Sequence, residues 1–314
     1  MIKKTLVISF SLVFVVSSIV YANNRHDVEQ RSSGYYSSEL TEFPEFDDLY
    51  GNREVSEFAE FSEKVDYFRE AEKDYIEKDT DSIFVSCREF NTDDCKLYLT
   101  HVLIANPDQI KVGLSHDTLG GERETPTDFA ERTGAVVVTN GSYFYYDTGA
   151  PINICSPAVL NNGEILRSGN SNGSEICLRF DGSFFSPHPM LLMTDQDMLN
   201  MGVLSTLGTA DPLLIQDATP QSFADGTQDR VYRRTAIGMV YPGEYYIITA
   251  GFDGSYDGGL SSNQLRTIFF NLGCSYARSL DGGGSTALVI NGDLRNVPTS
   301  EGERAVVDFI AFYE

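Results

Sequence analysis

The chain has 314 residues, about two domains' worth at roughly 150 residues each and long enough for a large buried core. Apolar residues make up 41% and charged residues 22%, which excludes a wholly disordered chain. With 46 acidic against 23 basic residues the formal net charge is −23, so phosphate backbones and anionic headgroups are repelled, nucleic-acid binding is not expected, and any phosphate-bearing substrate needs a local cation in its site.

Residues 1–22 open with Lys3 and Lys4, run apolar from Thr5 to Val20 and end Val20-Tyr21-Ala22. This is the layout of a secretory signal cut after Ala22. The apolar stretch of about 16 residues is shorter than the roughly 20 that span a bilayer. The strand-like C-terminus Val306-Val307-Asp308-Phe309-Ile310-Ala311-Phe312-Tyr313 offers no second anchor. The expectation is a secreted chain, extracellular or periplasmic, without a stable membrane anchor.

Residues 23–81 carry 18 acidic and 7 basic side chains. The first part, 23–52, shows no sustained period and reads as a solvated linker. Phe58, Phe61, Val65, Phe68 and Tyr75 then hold one helical face and predict an amphipathic helix over 53–78. Its apolar stripe either packs on the following domain or serves as a protein contact.

From residue 82 to 314 the chain is strand-rich. Short β-branched or aromatic runs at 82–86, 96–105, 111–115, 135–139, 245–250 and 305–312 are separated by Gly, Asn and Asp turns. Helices are predicted at 127–132, after Thr125-Pro126, and at 261–272, stopping at Gly273. Strands and helices do not alternate strictly, so the fold class is α+β, a mixed β-sheet core with a few flanking helices, preceded by the acidic N-terminal helical segment.

Five cysteines fit an oxidising destination. Cys87 and Cys95 flank the turn-rich Asn91-Thr92-Asp93-Asp94 and form the first candidate disulfide, with Cys155 and Cys177 the second. Cys274 is left as a small buried apolar residue. The histidines, His26, His101, His116 and His188, accompany no G-x-S-x-G or H-E-x-x-H pattern. They read as solvated or structurally satisfied, which argues against a His-centred triad. Asp253-Gly254-Ser255-Tyr256-Asp257-Gly258 looks like the first half of a calcium loop, but its twelfth position is Gln264, so a turn is expected, and no metal or cofactor.

Three stretches carry unusual chemistry. Ala135-Val136-Val137-Val138-Thr139 runs into Asn140-Gly141-Ser142-Tyr143-Phe144, placing an amide at the end of a buried-type strand, where an ordinary tight turn is the simpler account. Arg233-Arg234-Thr235-Ala236-Ile237-Gly238 sets two cations at a strand start in an acidic chain. Ser279-Leu280-Asp281-Gly282-Gly283-Gly284-Ser285-Thr286 sets one carboxylate against three glycines and two hydroxyls, a composition that favours close backbone approach and leads us to expect a ligand met by N–H groups. Asn140-Gly141-Ser142 and Asn172-Gly173-Ser174 also fit the N-glycosylation pattern.

Together with Ala250-Gly251-Phe252-Asp253-Gly254, Gly259-Leu260-Ser261, Val289-Ile290-Asn291-Gly292 and the closing Arg304, these stretches resemble the phosphodiester glycosidase family over roughly residues 96–314. Ser142 departs from a glycine usual in the family, and Asn153 from another. The resemblance implies hydrolysis of a sugar-1-phosphodiester, such as an N-acetylglucosamine-1-phosphodiester, in a glycan or phosphoglycan polymer. Within it, Arg234 is assigned to the phosphate and Asp281 is the candidate nucleophile or base. Asp253 is the second carboxylate. Gly141, Gly282, Gly283, Gly284, Ser285, Thr286 and Arg304 are expected to line the substrate, while Asn140 bonds a sugar hydroxyl or holds Asp281. Two alternatives keep the fold without the chemistry: a secreted carbohydrate-binding module, and a surface interaction protein working through the helix at 53–78. The segments are expected to divide as 1–22 signal, 23–81 acidic linker and helix, and 82–314 glycosidase domain.

Overall fold

A computed structural model describes residues 60–92, 95–145, 153–223, 230–251, 258–296, 299 and 301–314. The signal segment, the linker, the first residues of the expected helix, His26 and Asp253 with most of its turn lie outside these residues.

In chain order, α1 (Phe61–Ala71) leads into the meander β1 (Ile76–Asp79), β2 (Ile83–Asn91) and β3 (Lys96–Ile104). Then come β4 (Ile110–Leu114), α2 (Pro126–Thr133), β5 (Val137–Asn140), and the short pairs β6 (Phe144–Tyr145) with β7 (Asn153–Ile154) and β8 (Val159–Asn161) with β9 (Glu164–Arg167). The middle of the chain holds β10 (Glu175–Arg179), β11 (Phe184–Phe185), α3 (Asp195–Asn200), β12 (Val203–Gly208), β13 (Leu213–Gln216) and β14 (Thr219–Pro220). The last part is β15 (Arg234–Tyr241), β16 (Glu244–Gly251), α4 (Ser262–Asn271), β17 (Tyr276–Ser279), β18 (Leu288–Ile290), β19 (Asp293–Leu294) and β20 (Asp308–Phe312).

An eight-stranded sheet, in the order β1-β2-β3-β16-β15-β17-β13-β14, faces a five-stranded one, β19-β18-β5-β20-β4, with a three-stranded sheet β11-β10-β12 beside them. Alternation along the strands makes the layers. In β15 and β16, Ile237, Met239, Tyr245 and Ile247 point into the space between the sheets, where they meet Val137, Ile310 and Phe312. Ala236, Tyr246, Ile248 and Ala250 point the other way, under Leu265, Ile268 and Phe269 of α4. The five-stranded sheet repeats the arrangement: Val138, Phe309 and Ala311 pack beneath Phe129 of α2. Phe129 lies directly over Gly113, where a Cβ would come within 2.2 Å of its ring. The α+β class is therefore as expected.

The two predicted helices form where their punctuation sits. Thr125 caps α2 by accepting from the Asp128 N–H at 3.1 Å, and left-handed Gly134 ends it. Ser261 and Gln264 cap α4 reciprocally, at 3.1 and 2.8 Å. Gln264, the twelfth position of the calcium-like loop, is thereby a capping residue.

The N-terminal helix differs from the expectation. It ends at Ala71, and the residues after the Glu72 cap turn into β1, with Ile76 opposite Ser86. Tyr75 lies off the helix, 37% exposed and beneath the Arg88 guanidinium. Val65 and Phe68 do pack on Phe84 and Leu103 of the large sheet, so this described part of the stripe is covered by the sheet, while Phe58 lies outside the described residues. Glu72 then meets His101, which is 2% exposed and bonded to both Glu72 oxygens at 3.1 Å, with Glu244 at 3.5 Å on its other nitrogen.

The disulfide expectation is not supported: no disulfide joins any of the five cysteines. Cys87 stands opposite Thr100, whereas Cys95 lies beyond the 91–96 pair at the other end of the same hairpin. The two thiols also serve different apolar layers. Cys177 packs in the core against the Met198 sulfur at 3.9 Å, and the Cys155 sulfur meets the Tyr145 hydroxyl at 3.4 Å. Cys274 is buried under α4, as its apolar surroundings predict.

Candidate active site

The motifs converge at one end of the two facing sheets. Asn140, the last residue of β5, is fully buried and joins three segments. Its Nδ2 donates to the Asp281 carbonyl at 2.6 Å, while its Oδ1 accepts from the Thr235 hydroxyl at 2.8 Å and the Ala287 N–H at 3.1 Å. Of the two roles expected for Asn140, holding Asp281 is the one its geometry permits, because a side chain with no exposed surface cannot reach a sugar. The same burial leaves the Asn140 sequon inaccessible. Gly141 continues the clamp, its carbonyl accepting from the Asp281 N–H at 3.0 Å.

Asp281 follows β17 and is 8% exposed. Its Oδ1 accepts from the Gly282 N–H at 2.9 Å. Burial pushes its carboxyl from 3.8 up to about 6, against the Ser285 hydroxyl, the Gly282 N–H and the Arg304 guanidinium, which all favour the charged form. Arg304 lies on the triple-glycine bend, so close that a Cβ on Gly284 would fall 2.2 Å from its Nη2. The glycines serve the protein's own packing. The Gly283 N–H donates to the Arg233 carbonyl at 2.9 Å, and a Cβ on Gly282 would stand 2.5 Å from that same carbonyl oxygen. Two of the three amides expected to meet a ligand are thus engaged inside the bend. Gly282 and Gly283 remain half-buried, so the bend has a route to solvent. Thr286 is sealed in, and its hydroxyl has no partner.

Arg234 begins β15, the strand next to β17. Its Nε donates to the Leu260 carbonyl at 3.2 Å, its Nη1 to Asp211 Oδ1 at 3.1 Å and its Nη2 to the Arg230 carbonyl at 3.4 Å. Of the five N–H groups of a guanidinium, two have no partner among the described residues. Arg234 forms part of the wall of a cavity of about 580 Å³, together with Arg230, Arg278, Asp211, His188 and Tyr232. Arg278 is 5% exposed. Its Nη1 donates to the Gly173 carbonyl at 3.0 Å and to the Ser186 hydroxyl at 2.7 Å, and its Nε has no partner. Burial lowers its pKa. Asp281 is not among the residues that line the cavity, but the Gly282 that follows it abuts the start of β15, a Cβ there falling 3.7 Å from the Arg234 Cα. Asp211 pairs with Arg234 and, as the least of several causes, raises the Asp281 pKa.

Sequence reasoning did not single out Asp211, Arg278 or Asp308. Asp308 is fully buried behind Gly141, accepting from the Ser142 N–H at 2.6 Å and the Ser142 hydroxyl at 2.5 Å. That hydroxyl in turn accepts from the Gly208 N–H at 2.9 Å, so the departure from glycine at position 142 has a structural use. Burial lifts the Asp308 carboxyl to about 7, opposed by the two Ser142 bonds and reinforced by the Asp281 charge.

An α+β domain of two facing antiparallel sheets, with a buried carboxylate and an arginine-lined cavity at one end, is the class these features define. The chain belongs to the phosphodiester glycosidase family, whose model matches residues 133–313. Over 192 residues it is 25% identical to an uncharacterised protein, YomE, of the SPβ prophage in Bacillus subtilis strain 168, covering 59% of this chain and 29% of that protein. In structure it is similar to the catalytic domain of zebrafish N-acetylglucosamine-1-phosphodiester α-N-acetylglucosaminidase, auto-inhibited by its pro-peptide. That match has a TM-score of 0.59 and 19% identity, over 76% of this chain and 87% of the other. A hypothetical protein from Synechocystis matches with a TM-score of 0.51 and 16% identity, over 74% and 62% of the two chains. These two likenesses are likenesses of fold.

Proposed function

We propose that the protein is an exported glycosidase that hydrolyses the bond between the anomeric carbon and the phosphate of a sugar-1-phosphodiester. The observation that carries this is the adjacency of the two motifs: Arg234 lines the cavity, and the bend that begins at Asp281, 47 positions on in sequence, abuts its main chain, a Cβ on Gly282 falling 3.7 Å from the Arg234 Cα. A phosphate in the cavity takes the two remaining Arg234 N–H groups, with Arg278 adding charge behind them. Asp281, lifted to about 6, is mostly ionised at neutral pH and close enough to it to exchange a proton readily, which suits a general base.

In the step that follows, the C1–O bond breaks and its electron pair leaves with the phosphate oxygen. Water forms the new bond to C1 and gives its proton to Asp281, which passes it to solvent. The leaving group is a phosphate monoester dianion, so the arginines gain most as the bond breaks. Purified protein is tested on methyl N-acetylglucosamine-1-phosphate and on an aryl N-acetylglucosaminide. Turnover of the first, lost in Arg234→Met, supports the proposal. Equal turnover of both, or an unaffected Arg234→Met, overturns it.

A further inference from the structure

The cavity is lined by arginines and polar side chains, and two exposed apolar segments adjoin it that have no use in a reaction on a small polar diester. Pro187, His188 and Pro189 form one wall. The chain turns sharply there, the Leu191 N–H donating to the His188 carbonyl at 2.9 Å and the Met190 N–H to His188 Nδ1 at 3.2 Å. The turn holds three consecutive large apolar side chains out in water: Met190 is 85% exposed, Leu191 61% and Leu192 74%. Across the cavity, Tyr232 lies 5.1 Å from the Arg234 guanidinium. It is 44% exposed, and its neighbour Val231 48%. Phe223 adds an aromatic face to the wall. Single exposed apolar residues are ordinary, but here Met190 to Leu192 follow directly on the lining residue Pro189, and Val231 stands between the lining residues Arg230 and Tyr232, so two exposed apolar segments adjoin one cationic cavity.

Resting on the phosphodiester reading, we propose that the substituent on the far side of the phosphate is an apolar chain, lying on the rim made by Met190, Leu191, Leu192, Val231 and Tyr232 while the phosphate sits on Arg234 and Arg278. The substrate class is then an amphiphile, a sugar-1-phosphate esterified to a lipid-like alcohol. The charge pattern agrees. Arg234 and Arg278 are buried, where the phosphate would sit, while the exposed Met190, Leu191, Leu192, Val231 and Tyr232 carry no charge and Arg230 is, among the described residues, the one charged side chain beside them. Each methylene covered strengthens binding by up to about fourfold, so a few suffice for a clear preference.

The test compares methyl and octyl diesters of N-acetylglucosamine-1-phosphate, the octyl one kept monomeric, with an oligoether diester of equal length as the polar control. The octyl diester is expected to exceed the methyl one about tenfold or more in kcat/KM, and the oligoether is not. In M190S/L191S/L192S, shown to fold by its cooperative melting, the octyl-to-methyl ratio is expected to fall to within about twofold of one. An octyl diester no better than methyl, or a ratio unmoved by the triple substitution, overturns the proposal. The phosphodiester reading then still stands if the methyl diester is hydrolysed. If no diester is hydrolysed, calorimetry with octyl phosphate against methyl phosphate decides separately. A preference that the triple variant loses keeps the amphiphile site and ends the reaction, and no preference ends both.

Discussion

Replacing Asp281 by Asn separates the chemistry of this residue from its place in the fold. The amide has the same shape and keeps an acceptor for the Gly282 N–H, and the Asn140 bond goes to the main-chain carbonyl of residue 281, whatever its side chain. What disappears is a buried charge. The carboxyl rises from 3.8 to about 6 on folding, and about two units at roughly 1.4 kcal/mol each make the ionised group a burden of about 3 kcal/mol at pH 8. Because the folded value lies above the unfolded one, the stability this group contributes is present below 3.8 and lost as pH rises through 6. Asn does not titrate, and its new N–H pair needs acceptors, which offsets part of the gain. Asp281→Asn is expected to be about 1–2 kcal/mol more stable than the parent at pH 8, with that advantage gone by pH 4. Phosphodiester turnover is expected to fall by about 10²–10⁴. Urea midpoints at pH 4, 6 and 8 and initial rates at pH 7 check both. A variant destabilised equally at all three pH values refutes the electrostatic argument, and undiminished turnover removes Asp281 from the reaction.

Gly284→Ala is expected to fold, because its Cβ meets the tip of the Arg304 side chain, which can move. Gly282→Ala meets the Arg233 backbone carbonyl and is expected to lose about 2 kcal/mol or more in denaturant titration. With Arg304 displaced, Asp281 loses a cation that lowers its pKa, so the acid limb of the Gly284→Ala rate profile is expected to move to higher pH, and an unmoved limb counts against Arg304 as its partner. Burial pulls His101 down, but the charges and hydrogen bonds of Glu72 and Glu244 outweigh it and hold the imidazolium up to about 9. Its stabilising effect is complete below 6.5 and lost as pH rises through about 9. His101→Gln, which leaves the buried Glu244 and the half-buried Glu72 facing a neutral amide, is expected to lose about 3 kcal/mol at pH 6.5 and to flatten the stability slope between pH 6.5 and 9. An unchanged slope in thermal melts at these pH values refutes the assignment.

Much of the scaffold was legible because local chemistry dictates it. Thr125-Pro126 with Gly134, and Ser261 with Gln264, bound two helices that formed within a residue or two of expectation. The period-2 runs became β2, β3, β4, β5, β16 and β20. The end of α1 was not legible. Ile76 belongs to a strand only because Ser86 lies opposite it, a pairing the helical period of the preceding residues does not reveal. The disulfide expectation is unsupported for a related reason, since turn composition says nothing of the register that sets the two thiols apart. Arg278 and Asp308 did leave a trace. Each is a lone charge in an apolar strand, between Tyr276 and Leu280 in one case and beside Val307 and Phe309 in the other. A charge on a strand's buried face is either paired or part of a site. Asp211, in a turn-like Ala-Asp-Pro, left no such trace.

The way the cavity arginines are held bears on what they can bind. A guanidinium fixed by carboxylates is neutralised where it sits, whereas one fixed by carbonyl groups is oriented and keeps its charge. Arg278 takes the second form, on the Gly173 and Glu175 carbonyls and the Ser186 hydroxyl. Arg234 takes both, with two carbonyls and one carboxylate. The carboxylate it does have, Asp211, is itself raised by burial, which weakens its claim on the arginine's charge. In a chain of net charge −23, carboxylates are the commonest partners at hand. The described cavity lining sets three arginines, Arg230, Arg234 and Arg278, against the single carboxylate of Asp211, and although the Glu175 and Asp211 charges also act on Arg278, the balance suits an anion from outside. The long-range field of the molecule works against the approach of that anion. Salt screens this field within about 10 Å, however, and the buried guanidiniums are screened far less. Selection is therefore made inside the cavity, by geometry and by the apolar rim, and not by attraction at a distance.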